Sequence, residues 1–164
     1  MIRTDRLTLD ELSDNDKNAL VRILRDGRVR ATYIVNDLDD ESADRLFAVL
    51  KNLSHSKDRI VLGVYLGGQI IGLINDTGID DGAVELGWAI SPEYQNRGYA
   101  TEAVKAITEK LFADGYKRIF AAAFEENRAS IRVMEKCSMT RIGKEDTVEY
   151  RGKTHRCVYY AIER

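Results

Sequence analysis

The chain reads as a mixed α/β domain of 164 residues, and three observations carry that reading. Two strand-like runs, Arg59 to Leu66 and Gln69 to Asn75, flank Gly67-Gly68, a strong hairpin turn. A strand from Ala83 to Ile90, a small-residue loop, an amphipathic helix and a strand from Arg118 to Phe124 then follow in order. That order is a right-handed crossover between parallel strands. Hydrophobic residues are 44% and charged residues 32%, a balance that favours a folded chain over a disordered one. The length suits one domain, residues 1–164, with a sizeable core.

Each element has its local reason. Arg6-Leu7-Thr8-Leu9 alternates polar and apolar as a short first strand. Ser13 or Asp14 caps a helix carrying Leu20, Val21, Ile23 and Leu24, which stops near Gly27. A second helix follows Asp39-Asp40-Glu41, with Ala43, Leu46, Phe47, Leu50 and Leu53 at helical spacing and an acidic first turn that suits the helix dipole. Asp80-Asp81-Gly82 turns the chain into the Ala83 strand. Ala100, Ala103, Val104, Ile107 and Leu111 make one apolar helix face, and Gly115 ends it. Asn127 caps a further helix running to Cys137, and two C-terminal strands flank Arg151-Gly152.

Composition excludes several functions. The 25 basic and 27 acidic residues leave a net charge of −2 and no basic stripe for nucleic acid. Cys137 and Cys157 form no Cys-x-x-Cys pair, and with only His55 and His155 besides, no metal-ligand spacing appears. The charged start lacks the apolar core of a signal peptide, and no apolar run approaches the ~18 residues of a membrane span. A reduced, cytoplasmic location is expected.

Chemistry is concentrated in Gln95-Asn96-Arg97-Gly98-Tyr99-Ala100, the loop that opens the crossover helix. Small residues at a helix N-terminus aim several backbone N–H groups at one spot, where the dipole also favours an anion. Gly98 lets the backbone approach a phosphate, and Ala100 keeps the first turn small. Thr101 adds a hydroxyl, and Arg97 a charge that is otherwise simply solvated. The patterns of nucleoside-triphosphate and dinucleotide loops are both absent.

With its flanks the loop resembles the acyl-CoA-binding loop of GNAT-type N-acetyltransferases. Thr4-x-Arg6-Leu7-x-Leu9 looks like the opening of the RimJ/RimL-type branch. Glu85-Leu86-Gly87-Trp88, Ile90-Ser91-Pro92-Glu93-Tyr94-Gln95 and Arg97 to Ala103 resemble that branch closely. Asn127-x-x-Ser130-x-x-Val133-Met134-Glu135-Lys136 continues it in order. The resemblance implies a strongly twisted mixed sheet with helices on both faces, acetyl-CoA as donor, a primary amine as acceptor, and no metal. A peptide amino terminus is the acceptor type of that branch; polyamines or antibiotics are the alternative, and a non-catalytic acyl-CoA-binding protein is the opposing class. Dimers are common among similar proteins, so a homodimer is open.

The resemblance also assigns roles. Glu85 is the candidate base for the amine, with a solvated or salt-bridged strand carboxylate as the competing reading. Trp88, Ala89 and Ile90 would offer strand backbone groups to the pantetheine arm. Asn127, an N-cap, would also touch that arm. Ser130 would donate a hydrogen bond to the leaving thiolate or else bond its own helix. Many relatives carry a tyrosine acid where Met134 stands, and a glycine where Ser138 stands. Asp37 to Glu41 and Asp80-Asp81 read as helix-start and turn charges that could also draw a cationic acceptor, His155 could face substrate, and both cysteines pack rather than react.

Overall fold

The computed structural model describes residues 1–164. Eight strands form one mixed sheet: β1 (Ile2–Arg3), β2 (Leu7–Asp10), β3 (Val61–Leu66), β4 (Gln69–Asp80), β5 (Ala83–Ile90), β6 (Arg118–Phe124), β7 (Thr140–Tyr150) and β8 (Lys153–Glu163). Their spatial order is β1-β2-β3-β4-β5-β6-β8-β7, antiparallel except where β5 meets β6. Five helices connect them: α1 (Lys17–Arg25), α2 (Gly27–Arg30), α3 (Asp40–Ser54), α4 (Tyr99–Ala113) and α5 (Arg128–Lys136).

The helices cover both faces of the sheet. On one face, Ala103, Val104, Ile107 and Leu111 of α4 and Ile131 and Met134 of α5 bury against Leu7, Val64, Ile71, Val84 and Ile119. On the other, Leu20 and Leu24 of α1 and Phe47 of α3 pack on Val61, Ile70 and Leu73. Each such side chain contributes about 1.5–3 kcal/mol by leaving water. Gly72 of β4 permits close strand packing, since a Cβ there would lie 2.4 Å from the Ala89 carbonyl oxygen. No helix is long and apolar enough to cross a membrane.

Glycine-marked boundaries follow the sequence closely. Gly67 and Gly68 both have positive φ in the β3–β4 turn, and Arg151 and Gly152 do so between β7 and β8. Gly115, at φ +96°, follows the end of α4. Four expectations need correction. Gly27 does not stop α1; Asp26 ends it and caps α2, accepting from the Arg28 N–H. Ser13 opens a 3₁₀ turn at Asp14–Asp16 rather than the α-helix, and its N–H and hydroxyl both donate to the Asp16 carboxylate. The third strand begins at Val61 rather than Arg59, and β4 runs five residues past Asn75 through a bulge at Thr77.

Candidate functional site

The site is made by strands that stop pairing. β5 and β6 are in register only at Ala83–Arg118, Val84–Ile119 and Glu85–Phe120. Beyond Glu85, β5 stays with β4 while β6 stays with β8, so the sheet opens. Two cavities occupy this opening, one of about 430 Å³ beside the Gln95–Thr101 loop and one of about 330 Å³ around Glu85. They share Thr32, Tyr33, Trp88, Asn127 and Ser130 as a common wall.

The loop-side cavity presents unpaired backbone donors. From Asn96 through Thr101, no backbone N–H donates to any other group of the chain. Asn96 (φ +60°) and Gly98 (φ +83°) adopt the left-handed conformation that turns successive N–H groups toward one concavity. Gln95, Asn96, Gly98, Tyr99, Ala100 and Thr101 line it, as do Trp88, Ala89 and Ile90 of β5. Gln95 holds the loop to its strand, its Nε2–H donating to the Ile90 carbonyl at 2.8 Å. Arg97 lies outside the lining, its guanidinium 6.0 Å from the Tyr94 ring centre. The cations that do line the cavity are Arg28, Arg132 and Lys136, which the sequence reading missed. Arg132 and Lys136 stand four apart on α5, a spacing that puts both on one helix face.

The N-terminal motif is tied to this loop. Glu102, in the first turn of α4, accepts from the Thr4 hydroxyl at 2.6 Å, the Arg6 N–H at 3.0 Å and Arg6 Nε at 2.7 Å. Arg6 Nη1 donates to the Arg97 carbonyl at 3.0 Å, and its guanidinium lies over the Tyr99 ring. Burial alone would raise the Glu102 pKa, but these hydrogen bonds and the Arg6 charge bring it below the ordinary value.

The second cavity is mainly apolar. Glu85 is its only charged lining residue, half-buried among Leu86, Trp88, Phe124, Val148 and Tyr159. Burial raises the Glu85 pKa, partly offset by the Lys144 charge and the Thr77 hydroxyl. The roof is the segment Thr32-Tyr33-Ile34, which carries no motif that would place it here. The Tyr33 hydroxyl donates to Asn75 Oδ1 at 2.7 Å, and burial pushes its pKa up to about 12. Tyr150, at the end of β7, anchors this segment: its hydroxyl donates to the Arg30 carbonyl at 2.8 Å and accepts from the Val35 N–H at 3.4 Å.

Asn127 and Ser130 sit where the cavities meet. Asn127 Oδ1 accepts from the Ser130 N–H at 3.2 Å, the expected N-cap of α5. Asn127 Nδ2–H donates to Ser130 Oγ at 3.0 Å, so the serine hydroxyl proton remains free to donate elsewhere. Met134 is fully buried in the core. Ser138 takes the left-handed conformation at φ +62°, and the Met139 N–H closes back on the Met134 carbonyl, so the helix stop survives without glycine.

Other candidates lie elsewhere. His155 stacks on Phe124 with ring centres 4.1 Å apart, pairs with Glu126 at 2.5 Å, and lines neither cavity. Cys137 is buried beneath α4, and burial pushes its pKa up to about 11. Cys157 reaches the Glu85 cavity, but burial raises its pKa as well, which disfavours the reactive thiolate. The acidic run is absorbed structurally: Asp37 pairs with Arg30 and Arg151, Asp39 caps α3, and Asp40 pairs with Arg25.

Known proteins share this fold. Residues 6–140 match the acetyltransferase (GNAT) domain family. The chain is 30% identical over 155 residues to the N-acetyltransferase YnaD of Bacillus subtilis, itself uncharacterized, covering 87% of this chain and 84% of that one. A GNAT-family acetyltransferase from Bacillus anthracis superposes with a TM-score of 0.86 at 26% identity, covering 99% of this chain and 97% of that one. Spermidine N-acetyltransferase from Vibrio cholerae, in complex with CoA and spermine, shares the fold at a TM-score of 0.84 and 19% identity, covering 98% and 96%. Extending from the Arg6 clamp through the parted strands to β7, the family match takes in the loop and most of the lining of both cavities, and the chain belongs to the GNAT family of N-acetyltransferases.

Proposed function

We propose that the chain transfers an acetyl group from acetyl-CoA directly to a primary amine, with both bound side by side in the opening between β5 and β6. The observation that carries this reading is the shared wall. A cavity ringed by free backbone N–H groups and three cations meets, at Trp88, Asn127 and Ser130, a cavity whose one charged group is a carboxylate of raised pKa.

The loop N–H groups, Arg28, Arg132 and Lys136 hold the pyrophosphate and the terminal phosphate. The edge of β5 from Trp88 to Ala89 carries the pantetheine arm, while the Ile90 carbonyl is engaged by Gln95. A free amine has a pKa of ~10 and is mostly ammonium at neutral pH. Glu85 attracts that ammonium and takes its proton, directly or through water, as the nitrogen attacks the thioester carbonyl carbon. The carbon–sulfur bond then breaks, and the thiolate accepts a hydrogen bond from the Ser130 hydroxyl, whose oxygen is oriented by Asn127.

Thiol release followed with a colorimetric reagent, acetyl-CoA and an amine panel tests the reading. Amine-dependent release is expected from the wild type, and Ser130→Ala should lower kcat by roughly 10-fold with little change in acetyl-CoA affinity. Binding of acetyl-CoA without release for any amine would leave only the acyl-CoA-binding alternative.

A further inference from the structure

The cavity around Glu85 says more about the acceptor than that it is an amine. Four aromatic side chains, Tyr33, Trp88, Phe124 and Tyr159, line it together with Ile34 and Val148, and Glu85 is the only charge among the lining. The neighbouring charge is positive: Lys144 Nζ stands 4.2 Å from the Tyr159 ring centre. Two carboxylates near Cys157 lie outside the lining: Asp146, exposed on β7, accepts from the Thr147 N–H, and Glu126 pairs with His155. A second or third ammonium on one acceptor therefore finds no further carboxylate in the lining, and the fixed charge beside the cavity is the cation of Lys144.

The two amide side chains of the lining are also committed. Asn75 accepts from Tyr33 and donates to the Asp76 carbonyl. Asn127 is bonded to Ser130 through both ends of its amide. A peptide entering by its amino terminus would have to fit its backbone between the parted edges of β5 and β6 within the space that the aromatic side chains leave. A volume of about 330 Å³ is at the small end for ligand sites.

We infer that the acceptor is a compact monoamine with an apolar, aromatic body, its ammonium on Glu85 and its ring among Tyr33, Trp88, Phe124 and Tyr159. This inference rests on the transfer reading above. Trp88 is the only tryptophan in the chain and lines both cavities, so its fluorescence reports occupancy of either without requiring turnover.

The experiment compares 2-phenylethylamine, spermidine and a Ser-Ala-initiated hexapeptide by thiol release and by Trp88 fluorescence with CoA present. Expected is a kcat/KM for 2-phenylethylamine at least tenfold above the other two, with a saturable fluorescence change that spermidine does not compete away. Thr77→Asp, at an exposed lining position beside Glu85, adds a second carboxylate and should narrow the gap by lowering the KM for spermidine more than that for 2-phenylethylamine. Preference of the wild type for spermidine or the hexapeptide would overturn the monoamine inference while leaving acetyl transfer intact. A Trp88 response to acetyl-CoA with no release for any amine would overturn the transfer reading itself.

Discussion

In the proposed reaction, Glu85 joins catalysis to stability through one proton. Its pKa is raised in the folded chain, so its favourable contribution is full below the unfolded value of ~4.3 and is lost as pH rises through the folded value. At neutral pH the ionised carboxylate is held at a cost. Glu85→Gln should therefore melt at higher temperature than wild type at pH 7.5, with the difference closing as pH falls toward 4.5. The same variant should lose kcat by on the order of 10²-fold, together with the acidic limb of the pH-rate profile, which lies above the ordinary carboxylate range in the wild type. A structural carboxylate would show neither the lost limb nor the opposed changes in activity and melting. Ser138 is the other residue with a measurable burden. A side chain at φ +62° costs about 1 kcal/mol, so Ser138→Gly should raise the melting temperature by about 2–4 °C without changing kcat.

Among the elements, the loop and α4 behave as one piece because Thr4, Arg6 and Glu102 bind them to the first strands. Glu102→Gln leaves the shape but removes the charge that Arg6 and Thr4 address. Hydrogen bonds to charged groups are worth about 1.5–3 kcal/mol, so acetyl-CoA affinity should fall roughly 10-fold in a calorimetric titration while kcat at saturation changes little. This clamp marks the limit of reading elements locally. Thr4-x-Arg6-Leu7 is visible as a pattern, yet its partner lies 96 residues beyond Arg6 and nothing nearby discloses it. The Gly67-Gly68 turn and the Asn127 cap are legible because φ and the first-turn N–H groups are local demands. The far end of β4 is not, because alternation fails at the Thr77 bulge and both sides of Thr77–Asp80 are exposed. Gly27 misleads for a related reason: Asp26 supplies a new cap that restarts the helix before glycine can end it.

Across the whole molecule, a net charge of −2 hides a local reversal. Arg28 comes from α2, Arg132 and Lys136 from α5, and the fold gathers them beside the loop; Arg28 is paired with Asp26, which leaves Arg132 and Lys136 as the lining cations without a carboxylate partner. Replacing Arg132 and Lys136 together by Gln should raise the acetyl-CoA Kd by about tenfold and flatten its dependence on ionic strength. Composition cannot reveal such a patch, since bulk charge averages over faces that only the tertiary structure separates. The order of strands and the crossover are readable from the chain, whereas the parting of β5 from β6 after Glu85 depends on which neighbour each strand keeps. The acceptor roof is the extreme case, because Thr32-Tyr33-Ile34 has no periodicity of its own.

That roof also sets a sequence of events during synthesis. The Tyr150 hydroxyl reaches back 120 residues to the Arg30 carbonyl and 115 to the Val35 N–H. The ribosome must release β7 before the segment at Tyr33 can be held, after the loop, α4 and α5 have emerged. A nascent chain halted before β7 therefore lacks the anchor of its acceptor pocket. The donor-side residues are all synthesised by Lys136, whereas the anchor of the segment at Tyr33 waits for the end of β7.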